Sequence, residues 1–443
     1  MRPGTLALSF VALRNRNFRL LWIGLLFSFT GSFMQAAALL WHVSLLVSPE
    51  HKGLALGLVG LVRVVPIVLF SMISGVVADA WNRRRLMLMT QTAAACVAIT
   101  LAVLTSRGLS AVWVLYALAA LGSSVGAFDL PARQALLPML VPREHLPNAI
   151  SLNTIMVQAA SIAGPGVGGL LIGSAGLMWV YLLNAVSFVC VIAALLLMRD
   201  VPDHTESSGE AGHGVSLRAA IEGLRFVFDS PLISSTMLLD FFATFFSSAV
   251  ALLPIYAQDI LVVGPQGYGW LYAAPAAGAV VMSAAMVFIT DRIVRRGPVL
   301  LWAVAAYGVA TIAFGLSRSF WLSFACLALT GIADTVSMVI RSVVRQLETP
   351  DRLRGRMTGI NMVFFMGGPQ LGELEAGAVA QWLGATFSVV SGGVGCVIVT
   401  AWVAAMTPQL RRYRSTPPEA PLRVSAHSQT EDDATVTTAA PTK

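Results

Sequence analysis

Long apolar stretches, each near the length of a bilayer core, alternate with short polar breaks along the whole chain. They cover residues 20–47, 53–78, 86–105, 111–128, 148–172 and 178–198, and then 232–261, 269–289, 300–316, 320–340, 358–383 and 387–406. A helix needs about 20 apolar residues to cross a membrane. The pattern therefore predicts an all-α membrane protein with twelve transmembrane helices, six on either side of a polar interval. The expected units are an N-terminal bundle at 1–198, a cytoplasmic linker at 199–231, a C-terminal bundle at 232–407 and a disordered tail at 408–443, rich in Thr, Ser, Pro and Ala. Residues 201–214 of the linker are too polar to pack. At 215–228, by contrast, Leu217, Ile221, Leu224 and Phe228 recur at helical spacing against Arg218, Glu222 and Arg225, which predicts an amphipathic helix on the membrane surface.

Composition removes the soluble classes, since 56% of residues are hydrophobic and 12% charged. The formal charge of +7 is no nucleic-acid signature, because the basic residues sit at the ends of apolar runs rather than along one helix face. Arg83, Arg84, Arg85, Arg133, Arg143, Arg199, Arg292, Arg295, Arg296, Arg341, Arg345 and Arg352 all follow even-numbered runs, whereas the odd-side loops hold only Lys52, Arg107 and Arg318. The positive-inside rule then predicts a multi-pass protein of a bacterial-type inner membrane with both termini cytoplasmic. Trp22, Trp41 and Trp179 fall near run ends, where indoles settle at headgroup level. Cys96, Cys190, Cys326 and Cys396 each lie alone in an apolar run, so neither a disulfide frame, a metal nor a cofactor is expected.

The two halves echo each other. Asp79, Arg83 and Arg84 end the second run, and Asp291, Arg295 and Arg296 end the eighth at the same spacing. Arg133, Pro142 and Asn153 recur at one common offset as Arg341, Pro350 and Asn361. Two pseudo-symmetric six-helix bundles that rock about a midplane site are the architecture this duplication predicts.

At these residues the chain resembles the major facilitator superfamily. Gly75, Asp79, Arg83 and Arg84 match its Gly-x-x-x-Asp-x-x-x-Arg-Arg hallmark, and Gly164-Pro165-Gly166-Val167-Gly168-Gly169 matches its antiporter motif. The phrase from Asp129 through Arg133 and the phrase from Leu253 to Ala257 resemble the enterobactin-exporter and macrolide-efflux branch. The resemblance implies alternating access. It assigns Gly75, Asp79 and Arg83 to a cytoplasmic gate that joins the bundles in the outward-open state, with Asp129 completing the cluster and Asp291 and Arg295 forming its second copy. It also implies that spans two and eleven face each other, that span seven lines a central cavity, and that Gly164, Pro165 and Gly168 help seal it. Read as residues alone, Gly164 and Gly168 allow close helix packing with a bend at Pro165, and Arg84 and Arg85 simply obey charge sorting. The chain departs from many drug antiporters in span four, where residues 115–128 contain no base.

Charges inside spans cost about 2.5–3.5 kcal/mol each on insertion scales and are usually functional. Arg63, Asp240, Asp334 and Glu373 are the candidates for proton coupling or substrate contact. Asp240 and Thr244 share a helix face beside Phe241 and Phe245, an acid among aromatic walls that suits a cationic or amphipathic ligand; a fixed helix–helix bond is the equal alternative. Arg63 and Glu373 lie at matching depths, ~24 Å from the cytoplasmic ends of their spans, and are expected to pair and close the periplasmic side, unless Glu375 is the partner. Asp334 serves either coupling or a structural bond, Gln35 is a ligand contact by its polarity, and His42 is expected at the interface. The expected function is a monomeric secondary transporter that exports a small amphipathic molecule against protons, a siderophore or drug by resemblance. A solute importer or a non-transporting receptor or scaffold are the alternatives. No nucleotide loop, His-Glu-x-x-His or Gly-x-Ser-x-Gly occurs in the sequence, so an enzyme is not expected.

Overall fold

The structure, a computed structural model of the full chain, describes residues 11–199, 225, 227, 229–350 and 354–414. The polar stretch 201–214, most of the expected surface helix at 215–228 and the tail from 415 lie outside the described residues. The first bundle comprises α1 (Arg16–Leu46), α2 (Lys52–Ala80), α3 (Arg83–Ser106), α4 (Val112–Leu136), α5 (Leu146–Ser174) and α6 (Leu177–Leu197). The second comprises α7 (Pro231–Phe246), α8 (Gly264–Ile289), α9 (Arg296–Leu316), α10 (Phe320–Glu348), α11 (Arg354–Leu383) and α12 (Ala385–Met406). Helices satisfy their own backbone polar groups, which hydrocarbon cannot do for them. By length and composition, eleven segments among the described residues can cross a bilayer. Glycine-rich α11, with Pro369, Glu373 and Glu375, lies packed along α2.

Residues 232–261, expected as one span, are broken. After α7 come a 3-10 turn at Ala249–Leu252, a short helix at Leu253–Ile255 and a π turn at Tyr256–Ile260. Pro254 has no N–H to continue an α-helical ladder, and the Ser248 hydroxyl turns to the Pro369 carbonyl of α11 at 3.0 Å.

The sequence echo is also conformational. Gly176 and Gly384, separated by the same offset as Arg133 and Arg341, both take positive φ (93° and 87°) to turn α5 into α6 and α11 into α12.

Each bundle has its own core, around Phe18, Met87 and Leu136 in the first and Leu300, Ile340 and Val403 in the second. They meet along two seams, α2 against α11 and α5 against α8. A Cβ on Gly57 would lie 2.8 Å from the Glu373 carbonyl oxygen and 3.0 Å from Gly377 Cα. One on Gly169 would lie 2.5 Å from the Pro265 carbonyl oxygen and 2.8 Å from Gly269 Cα. Small residues here let the backbones touch. Both seams occupy the half of the molecule far from the termini. Gly75 toward the terminal face, and Gly126 and Gly367 nearer mid-span, have open space around them. Among the described residues, the close backbone approaches between the bundles lie toward the far face.

The tail does not loosen at 408 as expected. α13 (Pro408–Arg412) buries Leu410 completely, Gly297 N–H donates to the Tyr413 carbonyl at 3.2 Å, and the Tyr413 hydroxyl donates to Glu348 Oε1 at 2.9 Å. One apolar anchor and a helix-starting proline hold this short segment to α9 and α10.

Candidate functional site

A lock of polar and aromatic contacts fastens the far face. Lys52 Nζ, at the start of α2, lies 2.9 Å from Gln258 Oε1 and 3.1 Å from Asp259 Oδ2 in the π turn. Gln258 Nε2 donates to Ser44 Oγ of α1 at 2.7 Å. The Tyr268 hydroxyl of α8 donates to the Ala37 carbonyl at 2.8 Å, and its ring packs 5.0 Å from that of Trp41. Trp41, near the end of α1, is therefore buried inside the seam, because Tyr268 offers its ring a partner. Gln381 of α11 accepts from Leu54 N–H at 3.3 Å and donates to the Glu50 carbonyl. The turn beyond the lock is strained: Val262, β-branched, takes φ 52°. Sequence reasoning missed Lys52, Gln258, Asp259 and Tyr268; the one available signal was the rarity of charge on the odd-side loops.

Inside the second bundle, Asp240 does not face the aromatic wall. Its carboxylate is held by Arg341 of α10, whose other nitrogen, Nη2, stands 3.6 Å from Asp334 Oδ1. Arg341, expected in a cytoplasmic loop, is 3% exposed. The physical reason is complementarity: two acids on facing helices make this the position where a buried guanidinium can be neutralised. Thr244 donates to the Asp240 carbonyl at 2.8 Å and abuts Gly368 of α11. Phe241 and Phe245 stack at 5.9 Å. Asp334 also lines a cavity of about 100 Å³ with Ser247, Tyr307, Thr311 and Thr330, polar and large enough for water. A cavity large enough for water thus touches one acid of the ion-pair cluster.

Arg63 and Glu373 do come to the same level, where a Cβ on Gly60 would lie 2.8 Å from Glu373 Cβ. They are within electrostatic reach of each other. Among the described residues, however, no ion pair joins Arg63 to Glu373 or to Glu375, and Glu373 Oε2 is buried without a hydrogen-bond partner. Arg63 instead lines a cavity in the first bundle with Gln35 and Asn184, where Gln35 Oε1 accepts from Asn184 Nδ2 at 2.8 Å. His42 is not interfacial: it is 4% exposed and its Nδ1 lies 3.1 Å from the Tyr181 hydroxyl.

At the terminal face, Arg83 and Asp129 are not paired. Arg83 Nη1 donates to Met139 Sδ at 3.1 Å. Asp129 accepts from Thr90 Oγ1 and Gln91 Nε2, both at 2.8 Å, and stands 3.6 Å from Arg133, whose guanidinium lies 4.4 Å over the Phe29 ring. The side chains of Asp79 and Asp291 lie outside the described residues, and Arg295 is exposed at the start of α9. Gly164 and Gly168 face α1, where added Cβ atoms would meet the Thr30 carbonyl oxygen at 2.6 Å and Met34 Cγ at 2.9 Å. Pro165 lies within α5 at the α8 seam, its carbonyl oxygen 2.5 Å from where a Cβ on Gly269 would stand.

Two echoing bundles, tightly seamed at the far face and carrying buried charge, are the frame of a carrier, and residues 7–429 match the family model described as transmembrane secretion effector. The chain belongs to this family of the major facilitator superfamily. It is a multi-pass membrane transporter. It is 27% identical over 382 residues to the enterobactin exporter EntS of Escherichia coli O1:K1 / APEC, covering 86% of either chain. Among solved structures it is similar to an inward-facing, unoccupied bacterial homolog of the human lysosomal transporter Spinster, with TM-score 0.71 and 16% identity over 90% of this chain and 99% of that one. The nucleoside transporter NupG gives TM-score 0.68 at 15% identity, over 88% and 98% of the two chains.

Proposed function

We propose that the protein exports a small amphipathic molecule, a siderophore or drug, across a bacterial inner membrane in exchange for protons, working as a monomer with both termini in the cytoplasm. The carrying observation is the lock at the far face, with close backbone contacts at Gly57 and Gly169 and the Lys52–Asp259 pair, set against open space at Gly75 toward the terminal face. With the basic loops placed inside by the positive-inside rule, the open side faces the cytoplasm, the state in which an exporter loads. Likeness to the enterobactin exporter supports the outward direction. In this reading a proton reaching Asp334 through its polar cavity loosens the Arg341 cluster and lets α7 and α10 shift. The lock at Lys52 and Asp259 then parts, while Gly75, Asp79, Arg83 and Asp129, with Asp291 and Arg295 opposite, draw the terminal face shut. The test is uptake into everted vesicles acidified inside by respiration. A fluorescent substrate accumulates, the signal collapses with an uncoupler, and Asp240→Asn loses the proton dependence; accumulation indifferent to the uncoupler overturns proton exchange, and uptake only into right-side-out vesicles overturns export.

A further inference from the structure

The first bundle holds a cavity many times larger than a single water needs, with one charged group on its wall. It measures about 200 Å³ and lies between α1, α2, α3, α4 and α6. Its apolar walls include Leu39, Val97, Leu118 and Phe188. Its polar side is Arg63, Gln35 and Asn184, with Ser32 and Ser123. The two amide oxygens are already engaged: Gln35 Oε1 by Asn184 Nδ2 at 2.8 Å, and Asn184 Oδ1 by Ser187 Oγ at 3.0 Å. What remains for an occupant is the charged guanidinium fork of Arg63 and the Gln35 amide N–H pair, both donors, with the hydroxyls of Ser32 and Ser123 beside them. Arg63 makes no ion pair among the described residues. Glu373 is within electrostatic reach of it but makes no ion pair with it among the described residues, and Glu373 Oε2 has no hydrogen-bond partner. A guanidinium in a span, beside apolar walls and unpaired, is the arrangement that an incoming anion completes.

We infer that this cavity is a substrate subsite for an oxyanion, a carboxylate or phenolate, carried on a small apolar or aromatic body. The anion lies across the Arg63 fork and the Gln35 amide, and the ring fills the slot toward Leu118 and Phe188. The volume admits one such ring and excludes a diacyl lipid. The inference deepens the export reading and rests on it only in naming the occupant a substrate.

Benzoate, benzyl alcohol and benzylamine, which share a ring and differ in charge, are the probes. Saturation-transfer NMR on the purified full chain in nanodiscs measures their binding, with octanoate as a chain-shaped anion. Benzoate binds saturably and the other two rings do not compete. Arg63→Gln weakens benzoate roughly tenfold or more, as loss of a charge-assisted contact requires, and Arg63→Lys falls between, keeping the charge without the fork. Arg107→Gln, exposed just past α3 and outside the cavity, changes nothing. Equal benzoate binding by the wild type and Arg63→Gln overturns the inference, as does competition by benzylamine; octanoate binding tighter than benzoate reassigns the slot to an acyl chain and also overturns it. Binding needs no gradient, so benzoate binding without transport defeats the export reading alone, and transport without benzoate binding defeats the subsite alone.

Discussion

Replacing Arg341 by methionine leaves two acids in the second bundle without their shared cation. The Arg341 and Asp240 side chains are 4% and 5% exposed, so neither is rescued by bulk water. Breaking such a pair from one side costs about 3–5 kcal/mol, most of it the uncompensated charge left behind. Asp240→Asn is milder, because Arg341 keeps Asp334 at 3.6 Å; the loss is one charge-assisted hydrogen bond, about 1.5–3 kcal/mol. Asp334→Asn is milder again, below ~1 kcal/mol, since that side chain is 47% exposed. Equilibrium unfolding in detergent, followed by tryptophan fluorescence, reads the order Arg341→Met, then Asp240→Asn, then Asp334→Asn. The double variant Asp240→Asn with Arg341→Met falls short of the summed single effects by at least ~1 kcal/mol, as contacting residues do. Additive effects, or an Arg341→Met no costlier than Asp334→Asn, refute the claim that these charges form one buried unit.

The far-face lock and the glycine seams give further outcomes. Lys52→Met removes a pair with half-exposed Asp259 and is worth about 1 kcal/mol, roughly a fivefold population shift toward the far-open state; Asp259→Asn added to it changes the cross-face distance distribution no further. Gly57→Leu places a side chain where a Cβ already meets Glu373 and Gly377 at 2.8 and 3.0 Å, so it holds the far face apart in thiol-accessibility assays. Gly75→Leu meets nothing within 4 Å here and leaves this state intact. By the proposed cycle it blocks closure of the terminal face, and transport fails while substrate still binds.

Several features were legible because they are local. Apolar run length gives the spans, and recurrence of Arg133 as Arg341 gives the duplication, which Gly176 and Gly384 repeat as backbone geometry. The cost of charge in hydrocarbon marked Arg63, Asp240, Asp334 and Glu373 without any knowledge of their neighbours. What could not be read was pairing between distant segments. Lys52 meets Asp259 across a sequence separation of 207, and Arg341 looked like a loop base because its burial depends on an acid 101 residues away. Arg63 and Glu373 come within electrostatic reach without an ion pair among the described residues, because depth along a helix does not say which way a side chain turns. Which face is closed depends on a balance between two packed seams, and no single residue carries it.

The central claim is reciprocal movement of the two bundles, and paired distances test it most directly. With Cys96, Cys190, Cys326 and Cys396 replaced, spin labels at Arg85 and Arg295 report the terminal face, and labels at Leu45 and Val262, both exposed, report the far face. At rest the far pair gives a short distance and the terminal pair a long one. Under acid with substrate, the far pair lengthens as the terminal pair shortens, in equal proportion of molecules. Distances that lengthen together, or a terminal pair that never shortens while transport proceeds, contradict the account.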